Sequence, residues 1–223
     1  MLRGVRFTAF FGFALEAGTR AAIESMRHLV AAVSAERVAA ELRAMLSRTG
    51  RGRALDLLLE TGLAATVLPE LAPPAVAEPR WREAARIIDA FDEPDLPMAL
   101  AVLADDAGTG PLAPLAARLR LSNREATAAV WLRDGVATVG AVDAANRPWS
   151  QVQPWVAHEH AAALADVLRV RAARGRGDPG TATWFSGQVA RPRHEIDPPP
   201  LVSGDDLLAA GVPPGRPVGV ALA

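Results

Sequence analysis

The sequence has no cysteine, no tyrosine and no lysine. Without cysteine, disulfides, thiol catalysis and thiolate zinc sites are excluded. Without lysine, no Schiff base can form and no P-loop lysine can reach a phosphate. All 24 basic side chains are arginine, whose planar fork suits phosphates and base edges. Richness in Ala, Arg, Gly and Pro without Lys reflects genome base composition more than function. Nor is there a Gly-Gly, an Asp-x-Asp or a His-Asp dipeptide. The last absence argues against metal phosphohydrolases built on that pair. No run approaches about 18 uncharged apolar residues, the length a membrane span needs. No charged start leads into an apolar run and a cleavage site, so a cytoplasmic protein is expected.

What is present points to a folded core. Half of the 223 residues are hydrophobic, with 5 Trp among them, which is incompatible with a disordered polymer and ample for one large or two small domains. The net charge of -1 hides an asymmetry: residues 1–53 carry 9 Arg against 4 Glu, and the remainder carries 15 Arg against 21 acids. A basic first segment on an acidic protein fits a local polyanion contact, with a solvated basic face as the alternative.

The pattern predicts helices throughout. MLRGVRFTAFFGFALE begins as an uncapped amphipathic helix with Arg3 and Arg6 on one face. Residues 19–32 place Ile23, Met26, Val30 and Val33 at helical spacing. Ser34 reads as an N-cap with Glu36 in the first turn. The helix it starts aligns Val38, Leu42, Met45 and Leu46. Gly50 and Gly52 are expected to break it, and a further helix runs from about Ala54 to Gly62. The stretch 68–79, with four prolines, reads as a linker. Helices follow from Trp81 to Phe91 and over Leu96–Leu103, with a loop at 105–111. Ser122 and Glu125 form a capping-box signature. RPWS (147–150) opens another element, and His158 to Arg171 reads as helix until 175–180. A short helix lies in 197–217. No run alternates at period two over a strand length, so the expectation is all-α.

Isolated chemistry is sparse. His158 and His160, two apart on an expected helix, would point to different sides and make a poor metal pair. GRGR (50–53) and GTG (108–110) are too short for phosphate loops. Asp105-Asp106 and Asp205-Asp206 read as loop or capping residues. The tryptophans read mostly as core or packing residues rather than base-stacking platforms.

The specific signal is the order of blocks: MLRGVRF, FGFAL, VSAERVAAEL, ALDLLLETGL and VLPEL, then RLRLSNRE, RPWSQVQ and LVSGDDLLAAGVPPGRP. This order resembles the class II tRNA nucleotidyltransferase and bacterial poly(A) polymerase family over nearly the whole chain. Ser34, Glu36, Arg37 and Glu41 match the family's S-x-E-R-x-x-x-E motif. Arg3 and Arg6 match its LRAxRF arginines, which the resemblance implies are nucleotide-binding. Gly4 stands where the family has Ala, at a helix-propensity cost of about 1 kcal/mol. Arg37 and Glu41, with Glu36, are implied to brace the neck helix carrying Arg3 and Arg6, a positioning role.

The resemblance also implies what should accompany these blocks. The family's acidic pair and Arg would fall just before Met1. Its metal carboxylates come from an Asp-x-Asp after a Gly-Gly turn, and nearest here is Glu93-Pro94-Asp95 on a helix boundary. The chain therefore reads as the end of a head–neck junction helix (1–12), a neck (13–72), a helical body (78–196) and a partial proline-flanked tail (197–223). It carries no catalytic or metal-binding residue and no cofactor of its own. Magnesium and ATP or CTP are implied only for the family's complete enzyme. The implied partners are tRNA or another RNA 3′ end and a separate or missing catalytic head, with no membrane. The alternative is a catalytically dead helical protein-interaction module. CCA addition and poly(A) addition stay open.

Overall fold

A computed structural model describes residues 1–72, 78–106, 112–141, 146–198 and 202–221. The described residues are helical with no strand, and the fold is all-α. The 108–110 triplet and Pro73, Pro74, Pro111, Pro199 and Pro200 lie outside them. The chain forms two compact units, Met1–Val189 and Ala190–Ala223.

In the first unit, α1 (Leu2–Phe10) lays Leu2, Val5 and Ala9 inward, against α3 (Ala35–Leu46) and α4 (Arg51–Glu60). Between them come α2 (Ala17–Met26) and a 3₁₀ turn (Arg27–Ala32). The expected stripe over 19–32 is only half realised: Ile23 and Val30 are buried, whereas Met26 and Val33 are exposed. Met26 ends α2, and Val33 lies just past the 3₁₀ turn, whose pitch of about 3.0 residues per turn shifts it off the helical stripe. In α3 all four expected core residues are buried. Ser34 occupies its N-cap position without a side-chain cap bond.

Gly50 and Gly52 differ. Gly50 is left-handed (φ 79°) and separates α3 from α4. Gly52 lies inside α4, which starts at Arg51 rather than near Ala54. It is needed for proximity: a Cβ there would sit 2.8 Å from Asp89 Cβ and 3.0 Å from the Ala85 carbonyl. Its amide donates to Asp89 Oδ1 at 3.0 Å. This contact seats α4 on α6 (Glu78–Asp89), where fully buried Trp81 donates its indole N–H to the Leu55 carbonyl at 3.1 Å.

The expected linker is anchored at its start. After the short α5 (Leu63–Val67), Leu68 and Leu71 are wholly buried. The central helix is α7 (Leu96–Asp106), buried on every side over Met98–Ala104, as a helix with no polar face must be. Around it pack α3, α6, α8 (Leu112–Arg118), α9 (Asn123–Val139) and α11 (Ala161–Ala173). The capping box of α9 is formed as expected: Ser122 and Glu125 satisfy each other's backbone amides. Next come α10 (Trp149–Val156) and α12 (Pro179–Val189). The helix expected from His158 begins at Ala161, and His158–His160 form the turn before it.

In the second unit, α13 (Arg193–Ile196), α14 (Gly204–Ala209) and α15 (Arg216–Ala221) are short. Asp206 closes a capping box with Ser203. Among the described residues no helix is long and apolar enough to cross a membrane.

Candidate nucleic-acid interface

The inward stripe of α1 determines what its other face offers. With Leu2, Val5 and Ala9 buried, Arg3, Arg6, Phe7 and Phe10 turn away from the core. Arg6 Nε donates to Glu41 Oε2 on α3 at 2.8 Å, with the Arg6 side chain only 17% exposed. Its guanidinium also lies 4.5 Å from the Phe7 ring centre. Arg3 lies over the same ring at 5.3 Å. The motif residue Glu41 thus reaches back to α1, 35 positions away, rather than pairing with Arg37 one turn earlier.

Beyond α1 the backbone turns at FFGF and leaves an aromatic cluster in solvent. Phe11 meets Phe10 edge-on at 4.9 Å and stacks on Phe13 at 5.4 Å. Phe11 and Phe13 are 56% and 64% exposed. Arg48, just past α3, lies over Phe10 at 5.7 Å.

The nine arginines of residues 1–53 divide by partner. Arg6, Arg20, Arg43 and Arg53 pair with carboxylates. Arg27 donates to the Glu24 carbonyl. Buried Arg51 donates to the Phe91 and Asp92 carbonyls, just past the end of α6. That leaves Arg3, Arg37 and Arg48 without a carboxylate among the described residues. Arg37 is exposed. With Arg3 it lines a groove of about 450 Å³ between α1, the 3₁₀ turn and α3.

Glu36 points elsewhere. It accepts from Arg120 Nη1 at 2.7 Å, 84 positions along the chain. Arg120 holds a left-handed backbone (φ 50°) where α8 ends. The carboxyl of Glu36 is held below its ordinary range by its own amide and by Arg120. Two turns further along α3, Arg43 grips both oxygens of Glu125 at 2.5 and 2.8 Å. That bond, with help from Ser122 and against a desolvation cost, lowers the Glu125 carboxyl to about 2. Sequence reading identified Glu125 as a cap and missed Arg43, because no local signal joins residues 82 apart.

The two histidines expected to diverge are brought together. Off the helix, their rings sit 5.3 Å apart, and His158 stacks on Trp131 at 4.1 Å. His158 Nδ1 accepts the His160 amide at 3.2 Å. Burial, then the neighbouring His160, lowers its pKa. This is an aromatic packing cluster, and no group of three metal-capable side chains occurs among the described residues. Of the tryptophans, Trp81 is fully buried and Trp149 is exposed, with Trp131, Trp155 and Trp184 between.

Comparison with known proteins agrees with this geography. Residues 12–73 match the family described as "Probable RNA and SrmB- binding site of polymerase A". CCA-adding enzymes of Bacillus cereus and Bacillus anthracis are 41% and 40% identical over 63 residues, 28% of this chain and 16% of each relative. The crystal structure of the Bacillus stearothermophilus CCA-adding enzyme in complex with CTP superposes with a TM-score of 0.69 at 28% identity. That superposition covers all of this chain and 54% of the enzyme's, so the chain spans about half the length of its structural relative. Residues 12–73, with Arg37 and Arg48 among them, thus match an RNA-binding segment described for polymerase A, and the whole chain is similar in fold to a CCA-adding enzyme.

Proposed function

We propose that this chain is the RNA-binding portion of a cytoplasmic tRNA CCA-adding or poly(A)-adding nucleotidyltransferase, shaping the nucleotide pocket and holding the RNA 3′ end. In this reading residues 13–72 are the neck, 78–196 the body and 197–223 part of a tail. Arg3 and Arg6 contact the nucleotide. Glu41 orients Arg6, and Glu36 ties α3 to Arg120. Arg37 belongs with the contact residues, because it is exposed and has no carboxylate partner among the described residues. The single observation that carries the reading is the trio Arg3, Arg37 and Arg48, without ion pairs among the described residues: Arg3 and Arg48 lie over the exposed rings of Phe7 and Phe10, and Arg37 and Arg48 fall in the matched segment.

The residues present do not fit the pair of metal ions that nucleotidyl transfer by this family requires. Asp95 accepts the Met98 amide as a helix cap. Asp105 is paired with Arg171 at 2.7 Å. Asp206 is committed to Ser203. Metal and nucleotide chemistry is therefore assigned to the complete enzyme, in which a catalytic head would partner this chain. A second reading, a protein-interaction module, is favoured by one feature: the four phenylalanines of FTAFFGF that stand in solvent.

A salt titration of tRNA binding by fluorescence anisotropy separates the two. Three phosphate contacts on a single-stranded end give a slope of about -2 in log K against log salt, so a fourfold rise in salt weakens binding on the order of tenfold or more. No binding at low salt, or binding insensitive to salt, would sink the RNA reading and leave the protein-interaction reading ahead.

A further inference from the structure

One short stretch between α8 and α9 is tied by charge to much earlier parts of the chain. Arg118, Arg120 and Glu125 each reach a partner at least 48 positions away. Arg118 donates to both oxygens of Glu70 at 2.7 Å, and to the Val67 carbonyl at the end of α5 at 2.8 Å. Arg120 donates to Glu36, and Glu125 accepts from Arg43. Glu36 and Arg43 lie two turns apart on α3 and so share a face. Their opposite signs fix which way round α3 lies. With the two exchanged, Arg43 would meet Arg120 and Glu36 would meet Glu125, and like charges repel. An ion pair in contact with solvent adds little to stability, and α3 already buries Val38, Leu42, Met45 and Leu46. What the pairs add is orientation. On its other side α3 holds α1: Glu41, two residues before Arg43 and so about 200° round the helix, accepts from Arg6 Nε at 2.8 Å.

We infer that residues 118–125 form an ionic clasp that positions Arg6: Arg120 and Glu125 seat α3 through Glu36 and Arg43, and Glu41 passes that placement on to the Arg6 guanidinium. Glu36, Arg43, Arg120 and Glu125 are positioning residues and touch no ligand themselves. The bidentate Arg43–Glu125 pair is the strongest member, because two parallel charge-assisted bonds fix geometry as well as distance. The carboxylate that closes the first turn of α9 therefore also anchors α3. The pairs are partly exposed, so salt weakens them, and Arg6 is held less firmly as ionic strength rises. The inference deepens the reading above and rests on it only for what Arg6 contacts. How firmly Arg6 is held can be measured with no RNA present.

The test follows solvent exchange of the Arg6 Nε–H by NMR in the whole chain, alongside tRNA binding by fluorescence anisotropy at fixed salt. The double variant Arg43→Gln, Arg120→Gln removes the two pairs on α3. It should quicken Arg6 exchange about three- to tenfold, the size expected for two partly exposed pairs, and weaken tRNA binding about two- to fivefold. Glu36→Arg alone sets like charges against Arg120 and should also quicken exchange. Glu36→Arg combined with Arg120→Glu should restore the slow wild-type signal. Val167→Ala, buried in α11 and away from the clasp, lowers global stability and should leave the Arg6 signal unchanged. An Arg6 signal unmoved by the double variant, a swapped pair no slower than Glu36→Arg, or equal loosening by Val167→Ala would each overturn the inference. So would unchanged tRNA affinity in a double variant whose Arg6 exchanges faster. If the wild-type chain ignores tRNA, the RNA reading falls and the Arg6 signal alone decides the clasp. Salt-sensitive tRNA binding with Arg6 unmoved would sink the clasp and leave the RNA reading standing.

Discussion

Among the described residues, eight of the twelve large apolar side chains that lie exposed fall between Met1 and Val33, whereas residues 34–189 expose Trp149 alone. Paired charge occurs in both stretches, at Arg6, Arg20, Arg43 and Arg53 as at Arg82, Arg118, Arg120 and Arg171, but Arg3 and Arg48, which form no ion pair among the described residues, lie over the exposed rings of Phe7 and Phe10. Buried apolar area and paired charges stabilise a fold. Exposed aromatics beside free guanidiniums add little to it, and are what a ligand or partner surface is made of. The later region is built to hold shape, and the first to touch something.

The sharpest way to break this division is at its seam. Gly50 holds a left-handed backbone, and a Cβ there would lie 2.5 Å from the Ala9 carbonyl oxygen at the end of α1. The atom struck is backbone, so no rotamer change relieves it. Gly50→Ala should destabilise the chain by about 2–4 kcal/mol, combining left-handed strain with overpacking. Urea unfolding gives the total, and hydrogen exchange locates it. Fast exchange in α1 with an unchanged midpoint would mean that α1 lifts away alone. A change under about 0.5 kcal/mol with α1 still protected would sink the argument, since that is the size of an ordinary surface substitution.

How far the sequence revealed this division depends on the range of each interaction. Period-3.6 patterning and the Ser122–Glu125 capping box are local, and α1, α3, α6, α7 and the capped α9 appear where they were expected, whereas α8 and α12 were not foreseen. Gly52 was misread as a breaker because close approach to Asp89 leaves no trace within its own segment. The helix expected at His158 starts later because His160 takes the N-cap position. Leu68 and Leu71, among prolines, looked like linker and are core. In the candidate site, Arg3 and Arg6 were legible as a shared face. That Glu41 would hold Arg6, leaving Arg3 to share a groove with Arg37, depends on how α1 packs on α3.

The later region's reliance on paired charge has a pH signature. Glu125 titrates near 2 in the fold against 4.5 for the ordinary side chain, chiefly through Arg43. Because the folded value is the lower one, its contribution is complete above about pH 4.5. It is lost as pH falls toward 2, where both states become protonated. Solvent screening at this partly exposed pair keeps the contribution near about 1 kcal/mol. Wild type should lead Glu125→Gln by that margin at pH 7, and the two unfolding curves should converge below pH 2.5. A gap that persists unchanged at pH 2 would show that Glu125 acts through shape rather than charge.

The smallest expected effect lies on the exposed side of the division. Gly4 sits inside α1, and a Cβ added there meets nothing within 4 Å. Its backbone is helical with no positive φ. Gly4→Ala therefore gains helix propensity without strain or contact, partly by reducing the freedom of the unfolded chain. The expected gain is about 0.5–1 kcal/mol, read as a higher urea midpoint at constant slope. ATP and tRNA affinities should not change if the open space at Gly4 is solvent. Lost affinity with raised stability would mean that a ligand passes closely over Gly4, extending the contact surface along α1. Lower stability would mean that α1 is not a settled helix at its start, and that the groove it forms with α3 is remade on binding.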